Sequence, residues 1–173
     1  FYDNVFLRIR GGTAQNWPKK SYKLEFNQGN HFRFRDGVPR VDEINLNATY
    51  TDKSYIRARL TAEFGNDAGT PSPETFHFRM HENGEFFSIA YFVEQPDKDF
   101  LRRHGMDTLG ALYKGPPGAN LSSVGPLEKK TNRETRSTDD LRELIDGIKI
   151  RDRSELEKFV FDNVDLPAQV NFM

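Results

Sequence analysis

The 173-residue chain contains no cysteine, which excludes disulfides, thiolate metal sites and cysteine nucleophiles together. The same absence leaves the compartment open. No apolar run approaches the roughly 18 residues of a membrane span. Nor is there surplus positive charge: the formal net charge is -1, a balance that argues against a general nucleic-acid binder, which neutralises phosphates with excess Lys and Arg. Histidine is scarce, and its spacing makes no metal site. His77 and His81 share a strand parity but would stand ~13 Å apart at about 3.3 Å per residue. His31 and His104 read as isolated and exposed. No nucleophile–base arrangement for hydrolysis is visible, and no internal repeat. Phenylalanine is abundant, with 15 copies, and supplies much of the bulk of a core. The length suits one domain, or one and a half lobes of something larger.

Period-two alternation marks the first strands. Val5, Leu7 and Ile9 alternate with Phe6, Arg8 and Arg10, and Tyr22, Leu24 and Phe26 alternate with Ser21, Lys23 and Glu25. "HFRFR" (31–35) and "EINLN" (43–47) are shorter candidates, and "TFHFRMH" and "EFFSIAYFV" flank Asn83-Gly84, a strong hairpin signal because both residues tolerate positive φ. "ALYKG" reads as a last short strand. A helix is predicted from a capping Asp52 to Gly65, with Ile56, Leu60 and Phe64 as its buried stripe, and a second over "DKDFLRRHG". Arg102 and Arg103 read as the solvated end of that second helix. Residues 1–115 thus form a β-rich lobe. Residues 116–136, rich in Gly, Pro and Ser, read as a loop or lid. Residues 137–173 begin a helical lobe, with Leu141, Leu144, Ile145 and Ile148 on one stripe and a capping box from Ser154 to Glu157 opening the next helix. Both ends read as cut: the chain starts in a strand pattern, without Met, and stops in a helical one.

The stretch "IRGGTAQNWPKKSYKLEF" (9–26) has two readings. Gly11, Gly12 and Thr13 could form a flap whose backbone amides approach phosphate oxygens. Lys20, sharing parity with Tyr22 and Leu24, would then point inward to pair phosphates, with Lys19 and Lys23 facing the other way. Alternatively this is a surface hairpin whose lysines protect an edge strand. Glu63 falls on or beside the predicted buried face of its helix and needs a cationic partner. Lys20 and Arg59, one turn earlier on the same helix, are equal candidates.

In order along the chain, the "RGG" turn, "PKKSYKLEF", "LNATYTDKSYIRARLTAEFG", "HENGEFFSIAYFVEQPDKDFLRRHG", "LYKG" and "LEKKTN" resemble the spore coat protein H (CotH) kinase family. The turn departs from the family's Gly-Asn-Ser type by carrying Gly11-Gly12-Thr13-Ala14. The resemblance implies an α+β, atypical protein-kinase-like fold: a mainly antiparallel β lobe with one longer helix, then a truncated helical lobe. It implies ATP and Mg²⁺ as cofactors in the full-length protein, Ser/Thr phosphorylation of partner proteins, and a place in the spore coat, at the cell surface or among exported proteins. Arg10, Gly11, Lys19, Lys20, Tyr22, Asp52, Ser54, Arg57, Glu94 and Lys114 fall on family motif positions. From their chemistry, Lys20 and Lys114 are the phosphate candidates, Glu63 or Glu94 the orienting carboxylate, and Gly11, Gly12 and Thr13 the flap, with Arg57 beside them. No catalytic or metal-ligating residue is assigned. The family's catalytic-loop Asn and metal-binding Asp are expected beyond Met173, so the 173 residues alone are expected to be inactive. The competing expectation is a non-catalytic surface, adhesion or structural module that keeps the same fold.

Overall fold

The computed structural model describes residues 1–134 and 137–172. Five antiparallel strands form the main sheet: β1 (Phe6–Arg10), β2 (Ser21–Glu25), β3 (Glu43–Asn47), β4 (Thr75–Glu82) and β5 (Glu85–Val93), in the spatial order β1-β2-β3-β5-β4. The helix α1 (Arg57–Asp67) lies between β3 and β4 in sequence. After β5 come α2 (Lys98–Arg103), the two-stranded pair β6 (Tyr113–Lys114) and β7 (Glu128–Lys129), and the helices α3 (Asp139–Gly147), α4 (Arg153–Asn163) and α5 (Leu166–Phe172). The chain is α+β.

The register sorts side chains onto two faces, because successive residues of a strand point to opposite sides. Tyr22 stands opposite Leu46, Leu46 opposite Phe92 and Phe92 opposite Phe76. This row and its neighbours Leu24, Ile44, Ala90 and Phe78 form the apolar core. The other face is polar: Arg8 is opposite Lys23, Lys23 opposite Asn45, and Asn47 opposite Tyr91. The β4–β5 turn follows from Asn83 and Gly84, both at positive φ (52° and 88°), the geometry of a tight two-residue hairpin.

Two predicted elements of the β-rich part differ. "HFRFR" is not a strand; only Phe32 bridges to Val41, and the segment folds over the apolar face, where Phe32 and Phe34 pack on the core. Alternation there reflects packing from above rather than a ladder. The helix α1 starts at Arg57 and runs past Gly65 to Asp67. Asp52 still serves its entry, accepting from the backbone N–H of Ser54 and Arg57. Gly65 is needed for closeness, since a Cβ there would stand 2.2 Å from Ser72 Oγ. The predicted buried stripe of α1 is exposed: Leu60 is 39% and Phe64 66% accessible, and only Ala62 is buried. Periodicity identifies residues that share a face; it does not supply a surface to meet them.

Within 116–136, the stretch read as a loop or lid, Glu128–Lys129 forms β7 against β6; its last two residues, like Met173, lie outside the described residues. Helix α3 buries Leu141 and Ile145. Helix α4 is capped by Asp152, which accepts from the Glu155 N–H at 3.0 Å, rather than by a box from Ser154. The two helices meet at Gly147, where a Cβ would sit 1.9 Å from the Phe159 ring. Helix propensity alone would favour Gly147→Ala by up to about 1 kcal/mol. The ring contact reverses that sign, so the variant is expected to unfold about 1–3 kcal/mol more easily in a urea titration. A stabilised variant would show that the helices do not approach this closely.

Candidate phosphate-binding site

The loop between β1 and β2 folds back on itself. Gly11 has φ +103°, a conformation that favours glycine, and residues Thr13–Asn16 form one 3-10 turn. The Gln15 amide donates to the Gly11 carbonyl, and the Gln15 N–H donates to Gly12 at 3.2 Å. Lys20 completes the turn by donating from Nζ to the Gln15 carbonyl at 2.8 Å. It precedes β2, so strand parity does not govern it; the half-buried side chain turns back onto the loop instead of pointing over the apolar core. Lys19 escapes parity for the same reason. It was expected to face away from Lys20, yet both line one cavity.

That cavity encloses about 460 Å³ and is lined by Lys19, Lys20 and Lys53 together with Tyr22, Tyr50 and Tyr55. Lys19 Nζ donates to the Ile89 carbonyl at 2.6 Å and lies 4.6 Å above the Tyr55 ring. Its place follows from the sheet: β3 ends at Asn47, opposite Tyr91, and the ammonium takes a carbonyl of β5 beyond that end. Lys53 donates to the Tyr50 carbonyl at 3.0 Å and lies 4.4 Å above the Tyr50 ring. Among the described residues none of these three ammoniums forms a salt bridge with a carboxylate. Three cations lining one half-enclosed space, without a paired carboxylate among the described residues, give it a positive field. Of these lysines, Lys53 was missed in the sequence; its flanking Tyr50 and Tyr55 were the available signal.

The other sequence candidates lie elsewhere. Glu63 does not meet Lys20. It is exposed and pairs with Arg59 at 2.6 Å, as expected of neighbours four apart on a helix. The lysine–carboxylate pair of this sheet is instead Lys23–Glu43, across neighbouring strands on the polar face and mostly shielded from water. Arg57 projects outward beside Asp52, and Lys114 is exposed on β6 opposite Glu128. On the polar face, Arg10 donates to Asn47 at 2.8 Å. Burial, with Arg8 beside it, lowers the pKa of its guanidinium.

Glu94 is also taken up away from the lysines. Arg103 Nε reaches both of its oxygens at 3.0 Å, and the Glu74 N–H donates to it at 2.9 Å. Arg103 is therefore not a solvated helix end: its side chain is 16% accessible against 54% for Arg102, which pairs with Asp99. Ser72 contributes its carbonyl both to Arg103 and to His104, whose ring packs 4.6 Å from Phe100. His104, like His31, is half-buried rather than exposed. His77 meets the Tyr55 carbonyl. Among the described residues no three His, Cys, Asp or Glu side chains stand close enough to hold a metal ion, so a donor set for Mg²⁺ does not assemble within them.

The chain can be compared with known proteins on this basis. The model of the CotH kinase protein family matches residues 7–173. The chain belongs to the CotH family. It is also similar to the inner spore coat protein H of Bacillus subtilis (strain 168), at 25% identity over 181 aligned positions that cover 98% of this chain and 48% of that protein. The chain thus spans about half the length of the curated relative it matches. No helix among the described residues is long and apolar enough to cross a membrane.

Two predictions follow from the junction after β5. Arg103→Met leaves the buried Glu94 carboxylate without its cation and is expected to cost about 3–5 kcal/mol of stability. Arg102→Met, on the exposed turn, should stay within about 0.5 kcal/mol. Equal effects in thermal unfolding would mean that the Glu94 pair is not buried in solution. Asp97 caps α2 by accepting from the Asp99 N–H at 2.8 Å. Burial, with Asp99 and Asp42 adding to it, pushes its pKa from an ordinary 3.8 to about 6. Between those values the folded protein binds more protons than the unfolded chain, so stability falls as pH rises through that window. Asp97→Asn keeps a capping acceptor and should flatten the fall in Tm across that window; an unchanged slope would show that Asp97 does not titrate there.

Proposed function

We propose that this CotH chain is the nucleotide-holding part of an ATP-dependent protein kinase that phosphorylates Ser or Thr of partner proteins. The observation that carries the proposal is the convergence of Lys19, Lys20 and Lys53 on one cavity, free of carboxylates among the described residues, behind the glycine-bearing turn. Polyphosphate is the ligand class such a site favours: lysine acts as a point charge toward phosphate oxygens, and phosphoryl transfer depends on positioning and charge neutralisation rather than on covalent chemistry by the protein. Mg²⁺ in the full-length protein would supply further charge neutralisation, with none of the described residues assigned to hold it. In this proposal, Lys20 joins the turn to the phosphates while its stem stays against Gln15, and the tyrosines shield the lysines from water. Transfer itself belongs to the full-length protein.

A second reading, that the fold serves as a non-catalytic surface, adhesion or structural module, draws on the relative's name, which places that protein in a spore coat. The spore coat or another exported position is the location proposed on either reading. Nucleotide affinity separates the two. In the full-length protein, Lys20→Met retains the apolar stem and should weaken ATP binding by about 1.5–3 kcal/mol, roughly ten- to a hundredfold by calorimetry. Lys23→Met should leave affinity unchanged and instead lower stability by about 1–2 kcal/mol, because Glu43 loses its partner. Absence of ATP binding in the unmodified protein would favour the structural module. Equal affinity in both variants would return the loop to an ordinary hairpin with a charged edge.

A further inference from the structure

The opposite end of the apolar face holds a second cavity, of about 600 Å³, that shares no lining residue with the lysine pocket. Its floor is the sheet itself, where Phe76 stacks on Phe92 with ring centroids 4.4 Å apart beside Leu24 and Ile44. Its wall is the segment after β2. There Phe26 stacks on Phe32 at 5.1 Å and Phe34 tilts against Phe92 at 5.0 Å. That segment is held in place by backbone: Phe32 and Val41 exchange two hydrogen bonds, and the Phe26 N–H donates to Asp42 at 2.7 Å. The Tyr2 hydroxyl accepts from the Arg33 N–H at 3.1 Å and ties the start of the chain to the same wall. The space is open on one side.

Protein cores close-pack, and voids beyond the size of a water molecule are few. A volume of this size falls within the roughly 300–1,000 Å³ typical of small-molecule sites, which are mainly apolar with a few polar groups that orient the ligand. Here the lining carries one charged side chain, Arg33. Its guanidinium is half exposed and stands 3.5 Å from Asp36, whose own side chain is 98% accessible. That contact is loose, and an anion arriving at the cavity can replace it. An apolar body with a single anionic end is the complement of this lining.

We propose that the cavity binds a long-chain carboxylate, with the acyl tail among Phe26, Phe34, Phe76 and Phe78 and the carboxylate on Arg33. The site shares no lining residue with the lysine pocket, so its occupancy is independent of the nucleotide reading.

The test is titration of the full-length protein with cis-parinaric acid, read by fluorescence and kept below the micellar concentration. Saturable binding near one per chain, displaced by palmitate, is expected. Arg33→Gln should weaken palmitate about tenfold and leave the alcohol of the same chain length unaffected. Val5→Trp, at the rim of the cavity and away from its floor, should reduce binding of both at least tenfold while circular dichroism stays unchanged. Absence of saturable binding overturns the proposal. So does uptake of several molecules per chain that neither variant alters, the mark of adsorption to exposed apolar surface. Palmitate and the alcohol binding alike in the unmodified protein would overturn the role given to Arg33.

Discussion

The grip of Arg103 on the Glu94 carboxylate determines how the sheet connects to everything that follows it. Glu94 is the first residue after β5, Arg103 ends α2, and the same pair draws in the Glu74 N–H and the Ser72 carbonyl from the segment just before β4. Three segments thereby meet at a buried carboxylate and a guanidinium mostly shielded from water. Taking both out of water is costly, and the Coulomb attraction offsets that cost only when the remaining hydrogen-bonding positions are filled. Here both carboxylate oxygens are hydrogen-bonded, and the guanidinium also reaches the Ser72 carbonyl. The consequence is directional: with Arg103 held, α2 must lay Phe100 and Leu101 against the body of the protein, and the chain leaves the sheet at one fixed place.

The sheet itself is organised by a simpler constraint, the alternation of side chains along each strand. Because the register of β2, β3 and β5 is unbroken, one face collects Tyr22, Leu24, Ile44, Leu46 and Phe92, and the other collects Lys23, Asn45, Asn47 and Tyr91. A slip of one residue would exchange the two sets. Burial of the apolar set selects the register, and the polar set is carried along with it. Two pairs then form on that face, Lys23 with Glu43 and Arg10 with Asn47. Lys23 finds its carboxylate within the sheet, and Glu63 takes Arg59, one of the two partners weighed equally for it.

What was legible in the sequence is what depends on local repetition. The strands β2, β3, β4 and β5, the Asn83-Gly84 turn and the helices α2, α3 and α4 follow from periods of two and 3.6 together with capping and turn residues. What was not legible depends on encounters between distant segments. The apolar stripe of α1 has the right period and no covering surface. Arg102 and Arg103 are adjacent and chemically identical, yet only one turns toward Glu94, and nothing local distinguishes them. "HFRFR" alternates like a strand because its aromatics descend onto a sheet formed by others. The Gly11–Asn16 turn was readable from its small residues, whereas the cavity behind it was not, since Lys53 reaches it from a loop some thirty residues away from Lys20.

That distance explains how the fold can gather positive charge at all. Lysines placed along one strand would be scattered by parity, every second one to the wrong face. Lys19 and Lys20 lie just ahead of β2 and Lys53 lies between β3 and α1, so none of the three is bound by that rule. Each is held by an uncharged partner, a carbonyl or a tyrosine ring. Such contacts fix position without neutralising charge. A carboxylate at the same place would have stabilised the chain more, through a charge-assisted contact, and would also have filled the site. In the proposed site an anion would relieve the mutual repulsion of three ammonium groups whose positions are already set.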